Sequence, residues 1–520
     1  MSARMNRFGL AVLLLTSMAI SVPIFTAGPS YVVDTAGIKL SFTVSESTDV
    51  DVAVVDVATG KVIRHLAGGT IGGSSNPSAP LVAGLSQNII WNGADDKGVW
   101  AANKEVSFKV RLGVRPKLHK TLRFEVPTTR YFNLVSIPRT PLYDCQTDTF
   151  ISLSAYKFHD NYKDSSLYPT CAGTDMSVND ETDEILLRLS SRDGSSIPLV
   201  KYKGLTADTG KIQQFNVSGA NSLSDTTAAG ATTPYLPRMY YGEQFYGRDG
   251  KYIYHDEMFR YKLLYRYNAA DGTPAPFVST GVNYIKSRGF MGSGQIEVPF
   301  KGRGGCEGPD GSIYYGTFAD TSNQQWWGSS SGTKQIGYVL RKWDPQGNLI
   351  EKDLIRTFTD IGMGVNVDMQ GNIYVGLLIK PKGDTVPPEI RQQLTGARAA
   401  LFPFAQGWYG SIVKFKPTGG TVYHNNATGT FMMTPGVNMA MTGQEWVYYG
   451  ASCQNSFMGG YFGSRTSCIC FTPRFDVDRY GRVIFPNIMQ NEYICLDGNK
   501  NVMFKIHNRD FLKDSVKVGT

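Results

Sequence analysis

Asp249-Gly250-Lys251-Tyr252-Ile253-Tyr254, Asp310-Gly311-Ser312-Ile313-Tyr314-Tyr315, Gln370-Gly371-Asn372-Ile373-Tyr374-Val375 and Tyr480-Gly481-Arg482-Val483-Ile484-Phe485 are variants of one phrase, a turn glycine followed by an apolar-aromatic strand. A second phrase follows each. Leu264-Tyr265-Arg266-Tyr267 runs to Asp271-Gly272, Leu340-Arg341-Lys342-Trp343-Asp344 to Gln346-Gly347, Ile412-Val413-Lys414-Phe415 to Thr418-Gly419, and Tyr493-Ile494-Cys495-Leu496 to Asp497-Gly498. The physical content is a strand, a tight turn that needs a positive φ, and a partner strand. Such a unit cannot bury its own face, so neighbouring units must stack. A parallel β-helix would need shorter, more regular coils and a sandwich would not repeat, which leaves radial stacking as the better fit.

The phrases resemble the blades of NHL-type β-propellers, over residues 131–510. First-phrase glycines lie 61, 60 and 110 residues apart, so the last interval is expected to hide a degenerate unit, for which Gly443-Gln444-Glu445-Trp446-Val447-Tyr448-Tyr449 is the candidate. With Glu184–Leu189 and Ile197–Tyr202 as an earlier unit, the expectation is a propeller of about six blades. The spacings exceed a standard blade of roughly 40–45 residues, so loop insertions are expected near 322–333 and 382–409. The second carries the one helical spacing of the region, Pro387, Pro388, Ile390, Leu394, Ala397 and Leu401. Residues 511–520 are left as a tail.

Ahead of the repeats, Tyr31 to Gly113 alternates in short strands, including Ile38 to Val44, Val50 to Val57 and Lys61 to Leu66. Val52-Ala53-Val54-Val55-Asp56, Gly60 to Leu66, Trp91-Asn92-Gly93-Ala94-Asp95-Asp96-Lys97-Gly98 and Val106 to Leu112 resemble a FlgD-type immunoglobulin-like module. The resemblance implies a spacer or packing platform over residues 29–114, with Trp91 in its core and a linker over 115–130. The expected fold is therefore all-β: a small immunoglobulin-like β-sandwich plus a β-propeller.

The composition agrees with this. Of 520 residues, 56 are Gly and 25 Pro, 12% are aromatic and 18% charged, which excludes a disordered or coiled-coil chain and favours many short strands. Arg4 and Arg7 precede an uncharged apolar run from Gly9 to Phe25 that ends in small residues, the layout of a secretory signal peptide over 1–27. Secretion, a periplasmic location or display at the cell surface follows, with no membrane contact after cleavage. The formal charge of +8 falls to +6 without Arg4 and Arg7, and no Lys/Arg cluster suggests nucleic acid.

Seven cysteines lie beyond that segment, and an oxidising compartment makes disulfides expected. Cys145 with Cys171, and Cys453 with Cys468 or Cys470, are the local candidates, while an odd count leaves one thiol unpaired within the chain. No GxSxG, Walker A, HExxH or CxxC occurs, and the six His show no i, i+4 pair. Met432, Met433, Met439 and Met441 near His424 suit core filling better than copper.

One motif points to chemistry. Cys306-Glu307-Gly308-Pro309-Asp310-Gly311 resembles the entry segment of the gluconolactonase propellers, in which the Glu binds a divalent metal that polarises the lactone. For such oxygen ligands calcium is the fitting ion. The family's other ligands, an Asn and an Asp eight residues before a blade glycine, fall here on Met363 and Pro473, which cannot hold a hard cation. A turn-opening role for Glu307 is therefore preferred, and no cofactor is expected. Trp326-Trp327 and Trp408-Tyr409, in the insertions, are the candidate contact aromatics. The sequence points to an exported, non-enzymatic protein that contacts protein or glycan at the cell surface, or assembles with copies of itself. The competing expectation is a metal-dependent propeller enzyme, a gluconolactonase-like hydrolase or a lyase.

Overall fold

A computed structural model describes residues 22–35, 37–101, 104–116, 142–144, 149–151, 173–179, 182, 184–189, 198–203, 211–216, 244–257, 263–286, 304–318, 338–357, 364–377, 410–424, 439–451, 475–487 and 492–507. Among them every regular element is a β-strand.

The N-terminal part holds β1 (Phe25–Asp34), β2 (Gly37–Val44), β3 (Thr48–Asp56), β4 (Val62–Ile71), β5 (Ser86–Trp91) and β6 (Val106–Leu112). They form two three-stranded antiparallel sheets, β1-β2-β5 and β4-β3-β6. Leu40, Phe42 and Val44 of one sheet meet Val50, Val52 and Ile71 of the other in a common core. Trp91 is buried at its margin, edge-on to Phe108, with its indole N–H donating to the Ala94 carbonyl at 2.7 Å. The strand β1 begins inside the segment expected to be the leader: Phe25 pairs with Val44 and its ring meets Phe42 edge-on at 6.2 Å.

A short hairpin, β7 (Leu142–Asp144) and β8 (Thr149–Ile151), comes next. Five sheets follow, antiparallel except for one parallel pair in the third. The first contains β9 (Gly173–Asn179), β10 (Glu184–Leu189), β11 (Pro198–Lys203) and β12 (Lys211–Asn216), and the second β13 (Gln244–Tyr246), β14 (Tyr252–Glu257), β15 (Leu263–Asn268) and β16 (Tyr284–Lys286). The third contains β17 (Gly305–Glu307), β18 (Ile313–Phe318), β19 (Tyr338–Trp343) and β20 (Leu349–Thr357). The fourth contains β21 (Val365–Val367), β22 (Ile373–Leu377), β23 (Gly410–Phe415) and β26 (Gln444–Ala451), with β24 (Gly420–His424) and β25 (Met439–Thr442) interposed in sequence. The fifth contains β27 (Asp476–Val477), β28 (Val483–Asn487), β29 (Glu492–Leu496) and β30 (Val502–His507).

The first strands touch in succession, β9 with β13, β13 with β17, β17 with β21 and β21 with β27, so the sheets follow one another in a propeller-like array. Between them lie apolar cores such as Tyr374, Ile412, Phe475, Val483, Phe485 and Ile494 between the fourth and fifth. Gln444–Ala451, expected to open a unit of its own, instead closes the fourth sheet by pairing with β23. The chain leaves that sheet after β23, runs β24 parallel to β20 of the third sheet, returns along β25, and only then completes its own sheet. The described residues contain five four-stranded units and one borrowed hairpin.

The N-terminal part is fixed to the fifth sheet. In β3 every residue from Thr48 to Val54 is buried, on both faces of the strand. Val50, Val52 and Val54 face the core of their own part, and alternation turns Asp49 and Asp51 the other way, onto the fifth sheet. There Asp51 meets Arg482 at 3.3 Å, the Thr70 N–H donates to Asp497 at 3.2 Å, and the Asn499 and Asn501 amides donate to the carbonyls of Pro77 and Asn76. Gly68 allows the close approach, since a Cβ there would lie 2.7 Å from that of Tyr480. The fifth sheet offers the face opposite to the one that packs on the fourth, because Arg482 and Asp497 alternate with the core residues Val483 and Leu496.

Candidate functional site

The repeated turns are built by carboxylates. Asp344, Asp368, Asp478 and Asp497 each accept the backbone N–H four residues on, from Asn348, Asn372, Arg482 and Asn501, at 2.8–3.0 Å. The second oxygen of each accepts from the side chain of that same residue, at 2.6–2.9 Å. A charge-assisted cap of this kind removes the cost of leaving turn amides unbonded inside a stack of sheets. The positive-φ residue is Gly347, Gly371 and Gly481 in the first three; in the last it is Lys500, at φ 71°, and not the expected Gly498.

Glu307 belongs to this system. In the β13–β14 turn Gly247 stands where Asp368 stands in the β21–β22 turn: the Gly250 N–H bonds back to the Gly247 carbonyl as that of Gly371 does to Asp368. With no side chain at that position, the turn's own carboxylate is Asp249, which accepts from the Lys251 N–H at 2.9 Å, and Glu307 adds a second from the end of β17. It accepts from the Arg248 N–H at 3.1 Å and from the Tyr254 hydroxyl at 2.9 Å; Asp368 also accepts a turn N–H and a tyrosine hydroxyl, from Gln370 and Tyr374, which stand at other positions of its turn. A Cβ on Gly247 would lie 2.8 Å from Glu307 Oε2. Arg248 then spans three sheets, donating to the carbonyls of Glu307 and Val367 and to Met369 Sδ.

Burial pushes the Glu307 carboxyl up to about 7 against the Tyr254 hydrogen bond, which lowers it, and Asp249 adds to the rise. The folded state therefore holds the proton that the unfolded chain releases near 4.5, and stability falls as pH rises between 4.5 and about 7. That window corresponds to about 3 kcal/mol. Glu307→Gln keeps the acceptor and removes the titration, so its urea midpoint is expected to be flat across the window where that of the unsubstituted protein declines.

A second cluster lies where the N-terminal part meets the fifth sheet. Asp51 bridges Arg111 at 2.5 Å and Arg482 at 3.3 Å, and Arg482 also holds Asp478 at 2.6 Å. Asp96 binds His65 at 2.5 Å and Arg479 at 3.6 Å, with the His65 ring edge-on to Tyr480. The Asp96 carboxyl stays below its usual range through His65 and Arg479, against burial as the largest opposing influence. Burial also raises the Tyr480 hydroxyl and the Cys495 thiol to about 12 each, which makes Cys495 an unreactive thiol. The strict Asp-Val alternation of Asp49 to Val52 was the one sequence signal for this surface, and it reads equally well as a strand facing water.

Trp326, Trp327, Trp408 and Tyr409 lie outside the described residues, as do Met363, Pro473 and the candidate disulfide cysteines Cys145, Cys171, Cys453, Cys468 and Cys470. No disulfide joins described residues, and Cys306 and Cys495 are both buried. Among the described residues no cluster of three or more His, Cys, Asp or Glu side chains is arranged to hold a metal. Met441 packs against the core between the third and fourth sheets, and Met439 is the register partner of His424.

No protein-family model matches the chain, and no curated protein matches it. Among solved structures it is similar to the β-propeller domain of the Trilobed protease from Pyrococcus furiosus, at 9% identity over 64% of this chain and 84% of that one, TM-score 0.27. It is similar to streptogramin B lyase at 9% identity over 65% and 84%, TM-score 0.26. A Bacteroides thetaiotaomicron protein of unknown function is similar at 9% identity over 89% and 92%, TM-score 0.26. At these TM-scores the similarities bear on no function.

Proposed function

We propose that this chain is an exported, non-enzymatic binding or assembly protein. In this reading an NHL-like propeller presents its insertions to protein or glycan at the cell surface, and a FlgD-like immunoglobulin-like module is clamped to its last sheet. The observation that supports it is the engagement of Glu307: both carboxylate oxygens are taken up as the cap of a neighbouring turn, by the Arg248 N–H and the Tyr254 hydroxyl. The side chain on which a metal-dependent enzyme would rest thus has a complete structural duty. The fixed seating of the module on Arg482, Asp497 and Asn501 suits a platform more than a flexible spacer.

The second reading, a propeller hydrolase or lyase, draws on one observation, the buried Glu307 carboxyl pushed up to about 7, which is the range useful to a general acid or base. Metal analysis separates the two. The purified protein and its Glu307→Gln variant are expected to carry the same, substoichiometric metal after dialysis against calcium. A stoichiometric metal that is lost in the variant overturns the binding reading, as does absence of affinity for any cell-surface polymer or protein in a pull-down with intact cells.

A further inference from the structure

The order β1-β2-β5 leaves one edge of β1 without a strand partner among the described residues. From Ser30 to Asp34 this strand keeps a regular register with β2, whereas two register shifts and Pro29 interrupt it upstream. The regular stretch carries Tyr31, Val32 and Val33 at 64%, 65% and 70% exposure. Faces alternate along a strand. Tyr31 lies opposite Leu40 on the core side, its ring 5.7 Å from Phe108, and Val32 lies opposite Lys39 on the outer side. The core side of the edge is thus Tyr31 and Val33, and the outer side carries Val32 between Ser30 and Asp34. Soluble proteins guard such edges with Lys, Pro, bulges or inward charges; here the upstream half has a Pro and bulges, and Tyr31-Val32-Val33 has none of these.

We propose that this edge is a dimer interface, occupied by β1 of a second copy running antiparallel about a twofold axis at Val32. The two three-stranded sheets then join into one of six strands. In that register Val32 faces its own counterpart, Tyr31 faces the second copy's Val33, and Ser30 faces the second copy's Asp34. A second copy of this strand answers the pattern position by position, apolar against apolar from 31 to 33 and serine against aspartate at the two ends. The lone charge of the stretch meets a serine, so no like charges oppose one another. A twofold interface of this kind is isologous and closes at two copies. With only five residues contributed by each copy, the buried area falls below the ~1,200 Å² of a standard stable interface. The dimer is accordingly weak and concentration-dependent.

This inference rests on the assembly reading only for its purpose, and it can fail while that reading stands. The full chain is examined by sedimentation velocity over a wide concentration range, alongside single-cysteine additions under mild oxidation. Val32→Cys is expected to form a covalent dimer with itself, because directly opposed Cβ atoms come to about 4.5–5.5 Å. Tyr31→Cys alone should not, whereas Tyr31→Cys mixed with Val33→Cys should; the unsubstituted protein controls for its own cysteines. Val32→Lys, at an exposed position that leaves the core untouched, should weaken association at least tenfold. A monomer at every concentration with no Val32→Cys dimer overturns the proposal. So does a dimer that Val32→Lys leaves unchanged, since its interface would lie elsewhere, and so does cross-linking of Val32→Cys solely to other proteins. A monomer that still binds a cell-surface polymer overturns the β1 pairing and leaves the binding reading intact.

Discussion

Asp51→Ala is expected to destabilise the chain by about 3 kcal/mol, the low end of what removing one partner from a buried ion pair costs. The Asp51 side chain is fully buried and sits between Arg111, half exposed, and Arg482, at 13% side-chain exposure. Removing it strands no whole charge, since Arg111 can turn to water and Arg482 keeps Asp478 at 2.6 Å. That places the effect at the low end. A half-exposed pair such as Arg356 with Asp353 should cost less than about 1 kcal/mol when broken. Urea unfolding of Asp51→Ala, Arg482→Gln and the double variant measures the coupling across the interface. Contact between the two residues should give a coupling of about 0.5–3 kcal/mol, whereas additivity within about 0.5 kcal/mol would mean that the N-terminal part does not seat on the fifth sheet.

What the sequence made legible, and what it did not, divides along the distance over which each feature is decided. The first-phrase glycines at 250, 311, 371 and 481 all take positive φ, between 71° and 82°, because a two-residue demand of the backbone is written locally. The second phrase is as local, yet in its last copy the left-handed residue is Lys500, third after Asp497 as Gly347 is third after Asp344, and not the glycine that the phrase marks at 498. Counting glycines could not reveal that β24 and β25 belong to the third sheet, because the parallel pairing of Ile355–Thr357 with Gly420–Val422 leaves no mark on spacing. Asp49 and Asp51 alternate with core valines as an outer face would, and only the partner sheet over 400 residues away decides that this face is buried. Glu307 was visible as a residue but its duty was not. Gly247 stands where Asp368 and Asp478 do in their turns and leaves room for a neighbour's carboxylate, but Gly308 stands in the same place in the β17–β18 turn, which its own Asp310 caps, so the glycine alone gives no signal.

The crossing from the fourth sheet to the third is the most demanding place in the fold, and Gly419→Ala should show it. Gly419 has φ +71°, and a Cβ there would collide with the Leu354 carbonyl in β20. The obstacle is backbone on both sides, so no rotamer change relieves it; the strands must separate or the parallel β20–β24 pair must break. Left-handed strain of about 1–3 kcal/mol and overpacking of about 1–3 kcal/mol give an expected loss of about 2–6 kcal/mol. Gly60→Ala is the matched control: its φ is +68°, and nothing lies within 4 Å of the Cβ it would gain. That variant should lose only the strain, about 1–3 kcal/mol. The difference between the two, read from urea midpoints at one pH, isolates the collision, and equal losses would mean that β24 does not cross against β20. Because β24 and β25 are the only route by which the chain reaches β26, the same collision should also loosen the closing strand of the fourth sheet, seen as faster amide exchange at Val447 and Tyr448 in Gly419→Ala than in Gly60→Ala.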